Sequence, residues 1–113
     1  MATRSIKKKN GAKSDSYQNG DFKALVVYLN GEIWYGVREV FTSLGYAKNS
    51  PITQLTANSD VRDEERRTPP VNTPTGNRKR LLVNKQGLRS ICENRPEEYI
   101  AAGIGYLTWV SGF

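Results

Sequence analysis

Arg78, Lys79 and Arg80 follow one another in "TPTGNRKRLLVN", just behind the turn-forming Thr75-Gly76-Asn77 and just ahead of the apolar run Leu81, Leu82 and Val83. Guanidinium and ammonium groups displayed beside a hairpin tip suit contacts with phosphates, or with guanine edges in a major groove. The same composition also serves simply to keep an edge strand solvated, and on charge alone that is the commoner use. The distinction rests on how the three cations are carried.

Other residues offer less. Lys7, Lys8 and Lys9 in "KKKNGAK" suit either non-specific tracking of a phosphate backbone or a solubilising arm. Lys48, Asn49 and Gln54, with Thr53, Thr56 and Asn58, lie in or beside a short helix whose polar surface suits base edges and phosphates, although short polar side chains are common on any helix. Residues 60–67, "DVRDEERR", mix both signs; Glu64 and Glu65 lack a matching carboxylate pattern, so a solvated loop laced by ion pairs is the better reading than metal or acid chemistry. The chain has no histidine and one cysteine, Cys92. Zinc fingers, His-dependent metal nucleases and Ser-His or Cys-His catalysis are thereby excluded. Cys92 sits at a core-facing position and reads as packing, and "GIGYL" lacks the third glycine and the strand-to-helix setting of a nucleotide fingerprint. Nothing calls for a cofactor, and the reading is not that of an enzyme.

The 113 residues suit one small domain, with 37% hydrophobic and 25% charged residues. Residues 1–21 hold five basic and two acidic residues, so +3 of the formal +6 lies there, and the expectation is a disordered basic tail over 1–21 and a mildly basic body over 22–113. The cluster Lys7 to Lys9 is followed by polar residues and not by an apolar core segment, and the longest uncharged stretch, 99–113, is shorter than the ~20 residues of a membrane span. These features lead to the expectation of a soluble protein without membrane contact, and a single cysteine suits a reducing, cytoplasmic setting.

Periodicity supplies the elements that carry the candidates. "FKALVVYLNGEIWYGV" predicts a hairpin with a type I′ turn at Asn30-Gly31. Val37, Val40, Phe41 and Leu44 then share one helical face, closed by a left-handed Gly45. A second helix is expected with Ser50 as N-cap, Pro51 as first residue and Ile52 and Leu55 on one face, ending at residues 58–60. The link "GYAKN" makes a helix-turn-helix-like corner. Pro69, Pro70 and Pro74 break the first arm of a second hairpin, whose second arm is expected over 79–83. Asn84 caps a third helix carrying Leu88, Ile91 and Cys92, and Pro96 opens a last one through Tyr99, Ile100, Ile104 and Leu107, with Gly103 and Gly105 each costing about 1 kcal/mol of helix propensity. The apolar end, with Tyr106 and Trp109, is read first as docked on the core and second as a partner-binding or homodimer surface.

Taken in order, these pieces resemble a known family. The strand and helix "IWYGVREVFTSLGY", ending in Leu44-Gly45-Tyr46, and the later "TPTGNRKRLLVNKQGLRSI", with Gly76 in the turn and Gly87-Leu88 in the helix start, are similar to the N-terminal Bro domain of phage antirepressors and of Bro proteins of insect DNA viruses. The likeness covers roughly residues 22–92, and its specificity lies in order and spacing. It implies an α+β domain with β-hairpins and short helices, acting in a host cell's cytoplasm in phage or prophage transcription regulation, without catalysis. It implies binding to DNA or to a regulatory protein, with Arg78 to Arg80 facing a nucleic-acid backbone; the first reading is accordingly DNA binding through Arg78, Lys79 and Arg80, with Lys48, Asn49 and Gln54 nearby and Lys7 to Lys9 adding affinity. The alternative is a small phage protein that inhibits a repressor or a host defence complex by protein–protein binding through Tyr106 and Trp109.

Overall fold

A computed structural model describes residues 11–73 and 76–112. The alternation in "FKALVVYL" produces β2 (Phe22–Leu29), which pairs on one side with β1 (Lys13–Asn19) and on the other with β3 (Glu32–Gly36), all antiparallel. Asn30 (φ 49°) and Gly31 (φ 83°) both take left-handed backbone, as the expected type I′ turn requires. Strand β1 corrects the expected extent of the basic tail. Its side chains are almost all exposed, so composition suggested disorder, yet all seven residues are ordered by the ladder to β2. Of the residues expected to be disordered, 1–10 lie outside those described.

Two further short strands complete a five-stranded sheet in the order β1-β2-β3-β7-β4: β7 (Leu82–Val83) pairs with β3, and β4 (Arg66–Arg67) pairs with β7. The remaining strands, β5 (Pro70–Thr73) and β6 (Gly76–Lys79), form a separate two-stranded pair. One register runs through both pairs, because Arg66 faces Val83, Arg67 faces Leu82, Arg80 N–H bonds the Pro69 carbonyl, and Pro70 faces Lys79. Residues 66–73 and 76–83 are therefore one ribbon, rooted in the sheet and bent at residues 68–69 and 80–81. The expected second arm over 79–83 is corrected accordingly: the strand begins at Gly76, and its Leu82–Val83 end belongs to the main sheet.

The bend folds the ribbon's outer half, the arm β5–β6, over one face of the sheet. There Val71 is fully buried with Leu25, Val27, Trp34 and Leu82. Ala12 bonds β5 on both sides, its N–H to the Pro70 carbonyl and its carbonyl to the Asn72 N–H, each at 3.0 Å, so the start of β1 holds the arm in place. The opposite face carries Ala24, Val26, Tyr35 and Val83 under the helices. With cover on both faces, four consecutive residues of β2, 24–27, are buried.

Helix α1 (Val37–Ser43) presents Val37, Val40 and Phe41 to this core and ends at Gly45 (φ 110°), as its periodicity predicts. Helix α2 (Ile52–Ala57) starts one residue later than expected; Pro51 is its N-cap and no side chain caps it, so Ser50 is not the cap. Helix α3 (Lys85–Glu93) is capped by the Asn84 side chain accepting from Gly87 N–H at 3.0 Å. Helix α4 (Glu97–Val110) forms where Pro96 is expected to open it and buries Gly103, Tyr106 and Val110, whereas Ile104 is 55% exposed. The close approach of Gly103 to the Cys92 carbonyl of α3 rotates the helix so that this stripe faces inward.

Arg95 ties the helices together. Its guanidinium donates to the Ile91 carbonyl, the Tyr46 hydroxyl and the Ser59 hydroxyl, and lies 5.1 Å from the Phe41 ring centroid. The fold is α+β, with the helices on one face of an antiparallel sheet. Among the described residues no helix is long and apolar enough to cross a membrane.

Candidate nucleic-acid interface

Within the arm, side chains alternate between the sheet side and the outside. Val71 faces the sheet, so Arg78, its direct partner, lies on the same side, beyond the covered core, and is exposed. Lys79 faces Pro70 on the outer side and is exposed as well. Arg80 differs: its Nη2 donates to both carboxylate oxygens of Glu39 in α1, at 2.7 and 2.6 Å, and each side chain is 24% exposed. The cationic trio is thus divided. Arg80 fastens the arm to α1, and two of the three expected contact residues remain open to a ligand.

The residue before Glu39 does the same for the other candidate segment. Arg38 Nη1 donates to the Lys48 carbonyl and, at 3.2 Å, to the Ser50 carbonyl. The first turn of α1 therefore holds the arm with one residue and the "GYAKN" corner with the next. Lys48 and Asn49 are exposed on that corner, and Gln54 is exposed on α2. Of these three only Lys48 lines an open cleft of about 640 Å³, together with Lys23 and Arg38 and with Gln18, Asp21 and Glu39 among its walls.

Other expected site residues are placed differently. Lys7, Lys8 and Lys9 lie outside the described residues. Tyr106 is fully buried, with its hydroxyl donating to the Lys23 carbonyl at 2.7 Å and its ring edge-on to Phe22 at 5.4 Å. The first reading of this segment, docked on the core, holds for Tyr106, and its alternative role as a partner surface is corrected, because the turn of α4 that carries it faces the sheet. Trp109 is half-buried and stacks on Phe22 at 6.0 Å between ring centroids. Cys92 is buried, and desolvation pushes its thiol up to about 12, which suits packing and not nucleophilic chemistry. The ion pairs expected of residues 60–67 are present, Arg66 with Asp63 and Arg62 with Glu64. Among the described residues no group of histidine, cysteine, aspartate and glutamate is arranged to hold a metal ion.

Lys23, Arg38, Glu39 and Arg95 did not stand out in the sequence. Lys23 lies in β2, Arg38 and Glu39 in α1 and Arg95 in the link between α3 and α4, and each acquires its role from a neighbour distant in the chain, 10 residues away for Arg38 and 49 for Arg95. Comparison of the chain with protein-family models, with curated proteins and with solved structures finds no match.

Proposed function

We propose that this chain is a phage or prophage regulatory protein, similar to the Bro N-terminal domain, whose folded body binds duplex DNA. The observation that supports this reading is the braced arm, with Arg78 and Lys79 exposed on a ribbon that is fastened at three places: by Val71 to the sheet, by Ala12 to β1 and by Arg80 to α1. A two-stranded ribbon fits a major groove, and a pre-ordered one loses little conformational freedom on binding. Arg78 and Lys79 contact phosphates, Lys48, Asn49 and Gln54 supply a second contact region, and Lys7 to Lys9 add sequence-independent affinity.

The test is fluorescence anisotropy of labelled duplex DNA against the intact chain and an Arg78→Glu/Lys79→Glu variant across a salt series. The reading expects log-linear weakening with salt and loss of binding in the variant; equal binding by both proteins would remove the arm from the interface. The rival reading is inhibition of a repressor or a defence complex by protein contact. The exposed Ile104 on α4 favours it, and Ile104→Glu would then abolish activity in a cell-based assay while leaving DNA binding unchanged.

A further inference from the structure

The cleft beside α1 joins cations from three separate parts of the chain: Lys23 from β2, Arg38 from α1 and Lys48 from the following corner. We infer that this cleft is a phosphate seat on the same nucleic-acid surface as the arm, with Lys23 and Lys48 as its contacting cations; the inference rests on the DNA-binding reading above. Four observations carry it. Alternation along β2 puts Lys23, opposite Gln18 in the ladder, on the same sheet face as Leu25 and Val27, the face that Val71 of the arm covers. The backbone of Lys23 is held firmly, its N–H donating to the Ser43 hydroxyl at 2.8 Å and its carbonyl accepting from Tyr106 at 2.7 Å. Arg38 secures the backbone that carries Lys48 by its bonds to the Lys48 and Ser50 carbonyls. Finally, of the two carboxylates in the walls, Glu39 is already paired with Arg80, which leaves the charge of Asp21 against those of Lys23, Arg38 and Lys48. A cleft of net positive charge with exposed lysines at its mouth suits a phosphodiester, and the flexible ammonium groups act as point charges toward it.

The experiment measures duplex DNA binding by the full chain between about 50 and 200 mM salt. Lys23→Gln and Lys48→Gln each remove one phosphate contact, which makes the log–log salt slope shallower by ~0.9 and the loss of affinity across this range smaller by roughly threefold. Asp21→Asn has the opposite sign: it removes a negative charge from the cleft and tightens binding, a result that structural damage does not produce. If both lysine variants keep the parent slope and Asp21→Asn leaves affinity unchanged, while Arg78→Glu/Lys79→Glu loses binding, the phosphate seat is overturned and the DNA-binding arm stands. If the intact chain does not bind duplex DNA at the lowest salt, both fall. If Lys23→Gln unfolds the protein, Lys48→Gln on its exposed corner and Asp21→Asn on its exposed turn decide the matter alone.

Discussion

Single residues here are read correctly only with their partners. The sequence leaves Tyr106 either docked on the core or on a partner surface; its hydroxyl bond to the Lys23 carbonyl inside the core decides between them. Ser43 donates to that same carbonyl at 3.1 Å, so Tyr106→Phe leaves the acceptor partnered and should cost about 1 kcal/mol in urea unfolding, whereas Tyr106→Ala should cost about 3–5 kcal/mol. Burial also raises the pKa values of Cys92, Tyr35 and Tyr106. Groups held protonated in the fold but free to ionise when unfolded stabilise the protein below their unfolded pKa, and that stability is lost as pH rises toward the folded value. For Cys92 this window runs from the ordinary 9.0 to about 12, so the urea midpoint should fall across it after a plateau at neutral pH. A midpoint that holds steady through the window would show that these groups titrate freely in the native protein.

At the level of elements, α3 and β2 make opposite demands on two glycines of α4. A Cβ at Gly103 would lie 2.4 Å from the Cys92 carbonyl oxygen, a backbone atom that cannot turn aside. A Cβ at Gly105 would meet the Phe22 ring at 3.6 Å, an ordinary contact. Gly103→Ala should therefore destabilise by about 1–3 kcal/mol despite its better helix propensity, and Gly105→Ala should stabilise by up to about 1 kcal/mol. Thermal unfolding of the two variants reads the difference directly. Propensity alone treats these positions as equals; the helix crossing separates them.

Across the whole molecule, the arm is the feature on which the proposed function depends, and Val71 is its buried anchor. Val71→Ala removes two methyl groups from a fully covered site and should cost about 2 kcal/mol. Because the arm and the sheet share this core, the loss should appear in one cooperative unfolding transition. A second, earlier transition in the variant would mean that the arm folds independently of the sheet.

Much of this architecture is local and was legible in the residues. The Asn30-Gly31 hairpin, the apolar faces of α1 and α3 and the stop at Gly45 each depend on spacing over a few residues, which sequence displays directly. Strand β1 was not legible, because an edge strand that buries few side chains is stabilised by backbone bonds to β2, and these leave no apolar pattern. The split fate of Arg78, Lys79 and Arg80 was equally hidden: three adjacent cations look alike until Glu39, 41 residues from Arg80 along the chain, takes one of them. By itself the sequence determined the main hairpin, the apolar faces of α1 and α3, and the absence of histidine chemistry. Only the tertiary structure decided which cations are open and which are bound, because that depends on long-range pairing, where one side chain's partner is set by the packing of all the others.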